Sequence, residues 1–134
     1  MGLYCRFLTL ADSMDIYAFL KRRLKSIGYA AKGAWLLIRT EDSLQVQFTI
    51  AAFVTAAGFY FRISAVEWIL QLLTIAVIMG VEGINTAIEK MADFIHPDHH
   101  HKIGIIKDVA AGAVFIVAVA AIIIGCIIYI PKIF

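Results

Sequence analysis

The stretch VEGINTAIEKMADFIHPDHHHKIGIIKDVAAGAV, Val81–Val114, lies between two long apolar runs. It puts Glu82, Asn85 and Glu89 at the end of one run and Lys107-Asp108 at the start of the next. A charge inside an apolar helix costs about 2.5–3.5 kcal/mol on insertion scales, so such residues face an interior or a functional cavity. The flanking runs, Val66–Ile88 and Val109–Ile130, are each long enough to cross roughly 30 Å of hydrocarbon. A third run, Leu44–Phe61, precedes them, and only RISAV separates it from the second, which predicts an antiparallel helical hairpin. Pro131 is expected to end the last span, and a polar connection, Lys90–Lys107, to join the second and third.

Composition agrees. The 134 residues are 62% hydrophobic and 16% charged, with a mean hydropathy of +0.87, more apolar surface than a soluble domain of this size can hide. One membrane-embedded domain, 1–134, is expected, and a net charge of +2 does not suit a nucleic-acid binder. The first twenty residues contain Asp12, Ser13 and Asp15 and are not expected to act as a cleavable signal peptide. Cys5 and Cys126 form no metal or redox motif.

Ahead of the first span, residues 14–39 have a different pattern. Ile16, Leu20, Leu24, Ile27, Ala31, Trp35 and Ile38 recur at spacings of three and four, and Lys21, Arg22, Lys25, Lys32 and Arg39 fall mostly opposite. This predicts an amphipathic helix lying in the membrane interface. Seven Lys and Arg precede the first span and three more (Lys90, Lys102, Lys107) lie in the second connection, against Arg62 and Lys132 on the other side. The excess predicts a multi-pass protein whose amino terminus and second connection are cytoplasmic.

This topology gathers Glu41-Asp42, Glu82, Asn85, Glu89 and Lys107-Asp108 at one membrane face. Positions 82, 85, 89 and 93 share one helical stripe, with Glu82 roughly 10 Å deeper than Glu89 at the helical rise. Glu41 and Glu89 are hard oxygen ligands that suit Mg²⁺, which takes one or two carboxylates and completes its shell with phosphates. Lys107 can hold a phosphate, the deeper Glu82 can accept a proton from a lipid hydroxyl, and Asn85 can orient either partner. Metal, phosphate clamp and base are the parts of a phosphoryl-transfer site. A proton-coupled transporter using Glu82 alone is the alternative from another class, and it leaves Glu41, Glu89 and Lys107-Asp108 unexplained. His96, His99, His100 and His101, beside Pro97, read as a solvated loop in preference to a zinc site or a nucleotide contact.

VEGINTAIEKMAD followed by IKDVAAGAV, with KSIGYAAKGAW leading to Glu41, resembles the small integral-membrane bacterial diacylglycerol kinase family, which includes the undecaprenol kinases. The resemblance implies a homotrimer in the bacterial inner membrane, three spans and one surface helix per subunit, and active sites shared between subunits. It implies ATP as donor, Mg²⁺ as cofactor and a membrane lipid alcohol as acceptor, with diacylglycerol giving phosphatidic acid placed ahead of undecaprenol. It assigns Glu82 as base, Asn85 as a further catalytic residue, and Glu41 and Glu89 as metal ligands. Arg22, Tyr29, Glu41, Glu89, Lys107 and Asp108 are the positions it assigns to ATP. The chain departs from the family at Thr40, where Asn is frequent, and at Leu44–Gln47, which lacks the usual basic residue.

Overall fold

The computed structural model describes residues 2–98 and 100–134, with side chains from Ile16 onward apart from residue 99. Everything described is helix or short connection: α1 (Gly2–Thr40), α2 (Asp42–Tyr60), α3 (Ala65–Ile95) and α4 (His101–Ile133). The chain divides into two units, Met1–Leu37 and Ile38–Phe134.

The first unit is α1 up to Leu37. The helix expected over 14–39 is present, and its backbone continues upstream to Gly2, because no proline interrupts the first turns. Every side chain from Ile16 to Leu36 is exposed, the stripe of Leu20, Leu24 and Ile27 included. Local order comes from neighbours one turn apart. Ser26 Oγ donates to the Arg22 carbonyl at 3.0 Å, the Arg23 guanidinium lies 5.0 Å from the Phe19 ring centre, and Lys25 Nζ lies 5.8 Å from that of Tyr29.

In the second unit α3 packs against both α2 and α4. The four residues Phe61–Ser64 join α2 to α3, so the expected hairpin is formed, and hydrogen bonds fix its turn. The Ile63 N–H reaches back to the Gly58 carbonyl at 3.1 Å, and the Arg62 N–H to that of Phe59 at 3.3 Å. This is the paired closure of a left-handed helix cap, and Arg62 accordingly has φ 51°. Ser64 then caps α3 reciprocally: its Oγ accepts from the Glu67 N–H at 3.3 Å, and its own N–H donates to Glu67 Oε2 at 2.6 Å. That arrangement satisfies two otherwise orphaned donors.

At this same end the three helices are tied together by polar groups. Glu67 Oε1 pairs with Lys132 Nζ at 3.1 Å, linking the start of α3 to the end of α4. The single Tyr129 hydroxyl proton is offered to the Val54 carbonyl at 2.8 Å and to Gln71 Oε1 at 2.6 Å. Gln71 Nε2 also donates to the Val54 carbonyl, at 3.2 Å. One carbonyl of α2 is thereby held by side chains of α3 and α4.

The helices overrun the spans expected from hydropathy. α3 continues seven residues beyond Ile88 to Ile95, and α4 begins at His101 instead of near Val109. The connection expected at 90–107 is only 96–100. Hydropathy marks where the chain leaves an apolar solvent, whereas the helix ends where the backbone must break. The break comes at His96, the residue before Pro97, which proline steers away from helical dihedrals. Pro131 does not end α4, which runs on to Ile133; its missing N–H and ring affect only the bond to the carbonyl one turn back, and few residues of helix follow it. α3 and α4, with mean hydropathies of 1.7 and 3.0 over their most apolar windows, are long and apolar enough to cross a membrane. α2 spans 19 residues but opens with Asp42, Ser43, Gln45 and Gln47, and it falls outside that class.

The tightest point of the hairpin is Gly58. A Cβ there would lie 2.8 Å from the Trp68 ring and 3.1 Å from Ile63 Cδ1. Gly58→Ala is therefore expected to destabilise the chain by about 1–3 kcal/mol, the usual cost of overpacking a filled site. Thermal unfolding in detergent would measure it.

Candidate active site

α3 presents one face to its neighbours, and that face is polar at its carboxyl-terminal end. Gln71, Ile75, Ile78, Glu82, Asn85 and Glu89 follow at alternating spacings of four and three, a single stripe. Glu82 is 7% exposed and Asn85 8%, so both are inside the unit, while Glu89 is part-exposed at its edge. Glu82 therefore sits where its span-interior position predicted, buried.

Asn85 Nδ2 donates to Glu89 Oε1 at 3.0 Å, one turn on. Its Oδ1 is buried without a hydrogen-bond partner. An unsatisfied buried acceptor costs on the order of 1–3 kcal/mol; Asn85 thus fixes the Glu89 carboxylate through its donor and leaves its own acceptor unpaired.

Glu41 is the one residue between α1 and α2 outside a helix, with φ −110° and ψ 113° at the N-cap of α2. An N-cap side chain ordinarily accepts from the first helical N–H groups; that of Glu41 makes no such bond. Its Oε1 is taken instead by Lys90 Nζ at 2.8 Å and by Thr40 Oγ1 at 2.9 Å. The hydrogen bond from Lys90, with that from Thr40, holds the Glu41 carboxyl below its ordinary value of 4.5. Lys107 Nζ is paired with Asp93 across α3 and α4, two turns inside α4 and not at its opening. Asp108, beside it, is exposed.

The structure thus brings together Asn85 with Glu89, Glu41 with the residue next to Glu89, and Lys107 with the end of the same stripe. Arg22 and Tyr29 stand exposed on α1, in the first unit. Two participants are identified by the structure alone. Lys90, beside Glu89, holds Glu41, and Asp93, on the 82–85–89 stripe, holds Lys107. The histidines behave as loop and cap residues: His100 Nδ1 accepts from the Lys102 N–H at 3.2 Å at the start of α4, and the His96 and His100 rings lie 5.1 Å apart. His99 lies outside the described residues.

Among the described residues no three His, Cys, Asp or Glu side chains gather into a metal cage. Mg²⁺ does not require one, since it is commonly held by one or two carboxylates together with substrate phosphates. Glu41, Glu89 and the unpartnered Asn85 Oδ1 are hard oxygens of the right kind.

The sequence profile of the family described as prokaryotic diacylglycerol kinase matches residues 28–129. The chain belongs to that family. It is 40% identical over 121 residues to an undecaprenol kinase of Bacillus subtilis (strain 168), covering 90% of this chain and 98% of that protein. It is 34% identical over 110 residues to a diacylglycerol kinase of Synechocystis, covering 81% of this chain and 62% of that one. To the diacylglycerol kinase of Escherichia coli (strain K12) it is 28% identical over 109 residues, with 79% and 87% covered. The chain is accordingly a membrane lipid kinase that phosphorylates an alcohol and takes ATP as donor. The transporter alternative is set aside.

The Glu41–Lys90 pair makes a pH prediction. A carboxyl whose folded value is depressed adds stability above its unfolded value, near 4.5, and loses it as pH falls through the lower folded value. The pair is therefore intact at neutral pH. In Lys90→Met the Glu41 carboxyl should titrate closer to its ordinary value; site-resolved carboxyl NMR titration of both proteins would show the rise.

Proposed function

We propose that this chain transfers the γ-phosphoryl group of ATP to the terminal hydroxyl of a membrane lipid, with Glu82 as general base. The observation that carries the reading is the polar stripe of α3, on which buried Glu82 lies below Asn85 and Glu89. A lipid hydroxyl reaches the stripe from the apolar end and ATP from the polar end. The hydroxyl oxygen forms a bond to the γ-phosphorus, the bond to the leaving ADP oxygen breaks, and the hydroxyl proton passes to the Glu82 carboxylate. Glu41 and Glu89 are the residues that would hold Mg²⁺, which when bound neutralises charge developing on the phosphates. Asn85 orients Glu89 through the 3.0 Å hydrogen bond. Lys107 and Lys90, each paired with a carboxylate, are the cations available to turn towards phosphate oxygens. Asp108, Arg22 and Tyr29 complete the nucleotide contacts in this reading.

The same reading takes α2 as a third span, from about Leu44 to Phe61, alongside α3 and α4, with α1 lying in the interface. It places the site at the cytoplasmic face of the bacterial inner membrane and assembles three copies with sites shared between subunits. The exposed apolar side chains of α2, α3 and α4, among them Phe53, Leu73 and Phe115, support an environment of lipid and neighbouring subunits.

For the acceptor, the sequence alone placed diacylglycerol first. The 40% identity to an undecaprenol kinase along 98% of its length, against 28% to the Escherichia coli diacylglycerol kinase, favours a polyprenol. Undecaprenol is the proposed acceptor and diacylglycerol the second reading; purified protein given ATP and either alcohol separates them.

Glu82→Gln preserves shape and removes the base. Turnover is expected to fall about 10²- to 10⁴-fold, the usual contribution of a general base, with ATP affinity retained. Nucleotide binding lost in proportion to rate would count against the assignment. In Glu41→Gln or Glu89→Gln the Mg²⁺ concentration needed for half-maximal rate should rise, which a metal titration of each variant measures.

A further inference from the structure

Lys90 and Glu41 meet at the polar end of α3, and Lys90 is the partner that can move. Its Nζ lies 2.8 Å from Glu41 Oε1. The Lys90 side chain is 63% exposed, whereas that of Glu41 is only 20% exposed. The backbone on either side of Glu41 is held without Lys90. The Gln45 N–H donates to the Glu41 carbonyl at 3.1 Å, and Gln45 Nε2 donates to the Arg39 carbonyl at 3.2 Å. Parting the ion pair therefore leaves the α1–α2 junction closed.

Oε1 of Glu41 is fully engaged. A carboxylate oxygen offers two lone pairs, and this one accepts from Lys90 Nζ and, at 2.9 Å, from Thr40 Oγ1. A divalent ion arriving at this carboxylate meets an ammonium already there, and two cations on one carboxylate repel. The other ion pairs of the unit have no such consequence. Lys107 holds Asp93 and Lys132 holds Glu67, and neither carboxylate is assigned to a metal. Lys90 alone of these lysines sits on a proposed metal ligand.

We propose that Lys90 is a stand-in cation for the metal: it neutralises Glu41 while nucleotide is absent, and exchanges Glu41 for a phosphate oxygen when nucleotide binds. The inference rests on the assignment of Glu41 to Mg²⁺ in the kinase reading above. It adds the order in which the charges change partners. A lysine ammonium suits the exchange, being a point charge on a flexible four-carbon stem that needs no fixed geometry. Nucleotide supplies anionic oxygens to receive Lys90, and the carboxylate left behind is open to a divalent ion. By linkage, each event favours the other by the same factor. Without nucleotide a metal must displace Lys90 into water, so the site disfavours the free ion.

The test uses the purified full chain in detergent, without lipid substrate. Mn²⁺ serves as the probe, since it shares the preference of Mg²⁺ for carboxylate oxygens and its free form is counted by electron paramagnetic resonance. Lys90→Met should bind Mn²⁺ alone roughly 2- to 5-fold more tightly, the worth of an exposed ion pair. At saturating Mg²⁺ the same variant should bind a non-hydrolysable ATP analogue roughly 2- to 5-fold more weakly in calorimetry. Opposite signs mark an exchange, because loss of a merely structural link would weaken both. Lys90→Gln repeats both measurements should the methionine variant not fold. Unchanged or weaker Mn²⁺ binding in a folded variant overturns the proposal. Tighter Mn²⁺ binding with unchanged nucleotide affinity overturns the transfer to phosphate. Glu41→Gln separates this inference from the reading beneath it and should weaken Mn²⁺ binding. A Glu41→Gln variant with wild-type Mn²⁺ affinity would overturn the metal assignment of Glu41, and this inference with it.

Discussion

A polar group enclosed among apolar helices must be satisfied by the protein or by something the protein binds. α3 is built around that requirement. At its amino-terminal end the requirement is met internally: Gln71, Tyr129 and the Val54 carbonyl close on one another, and Glu67 finds Lys132. At its carboxyl-terminal end it is met only in part. Asn85 uses its donor on Glu89 and keeps an unpaired acceptor, as does Gln47 on α2. One end of the bundle is therefore closed by side-chain hydrogen bonds and the other keeps unpaired acceptors, although both are made from the same kinds of side chain.

Glu41 illustrates the same division at the helix junction. Its backbone separates α1 from α2, a position where a carboxylate would ordinarily cap the new helix. The side chain is diverted to Lys90 and Thr40 instead. Helix-end stabilisation is forgone, and a carboxylate is set beside the end of α3, where Glu89 and Asn85 already meet. The cost is local and small; the gain is an ion pair that ties the α1–α2 junction to the end of α3.

The cations follow a parallel logic. Lys90 and Lys107 each sit on a carboxylate, Glu41 and Asp93 respectively. Such partly exposed pairs contribute little to stability, so they can be exchanged at small cost. Pairs this weak can part without unfolding any helix. The buried links at the opposite end have no comparable freedom.

Much of this was legible in the residues. Helical spacing alone put Glu82, Asn85 and Glu89 on one face, because that geometry is fixed by the backbone whatever the helix packs against. Apolar composition and the short RISAV link likewise determined long helices and a hairpin. Helix ends were misplaced because hydropathy reports the solvent, while Pro97 and the left-handed Arg62 decide where the backbone turns. Pairings between helices were beyond the sequence. Lys90 with Glu41, Lys107 with Asp93 and Tyr129 with Val54 depend on register and rotation of one helix against another. Those are set by side-chain packing summed over many residues, such as Trp68 against Gly58, and no local pattern encodes them. The sequence by itself determined which groups must be satisfied; the tertiary structure decided which find a partner across helices, because that depends on register and rotation and not on local pattern.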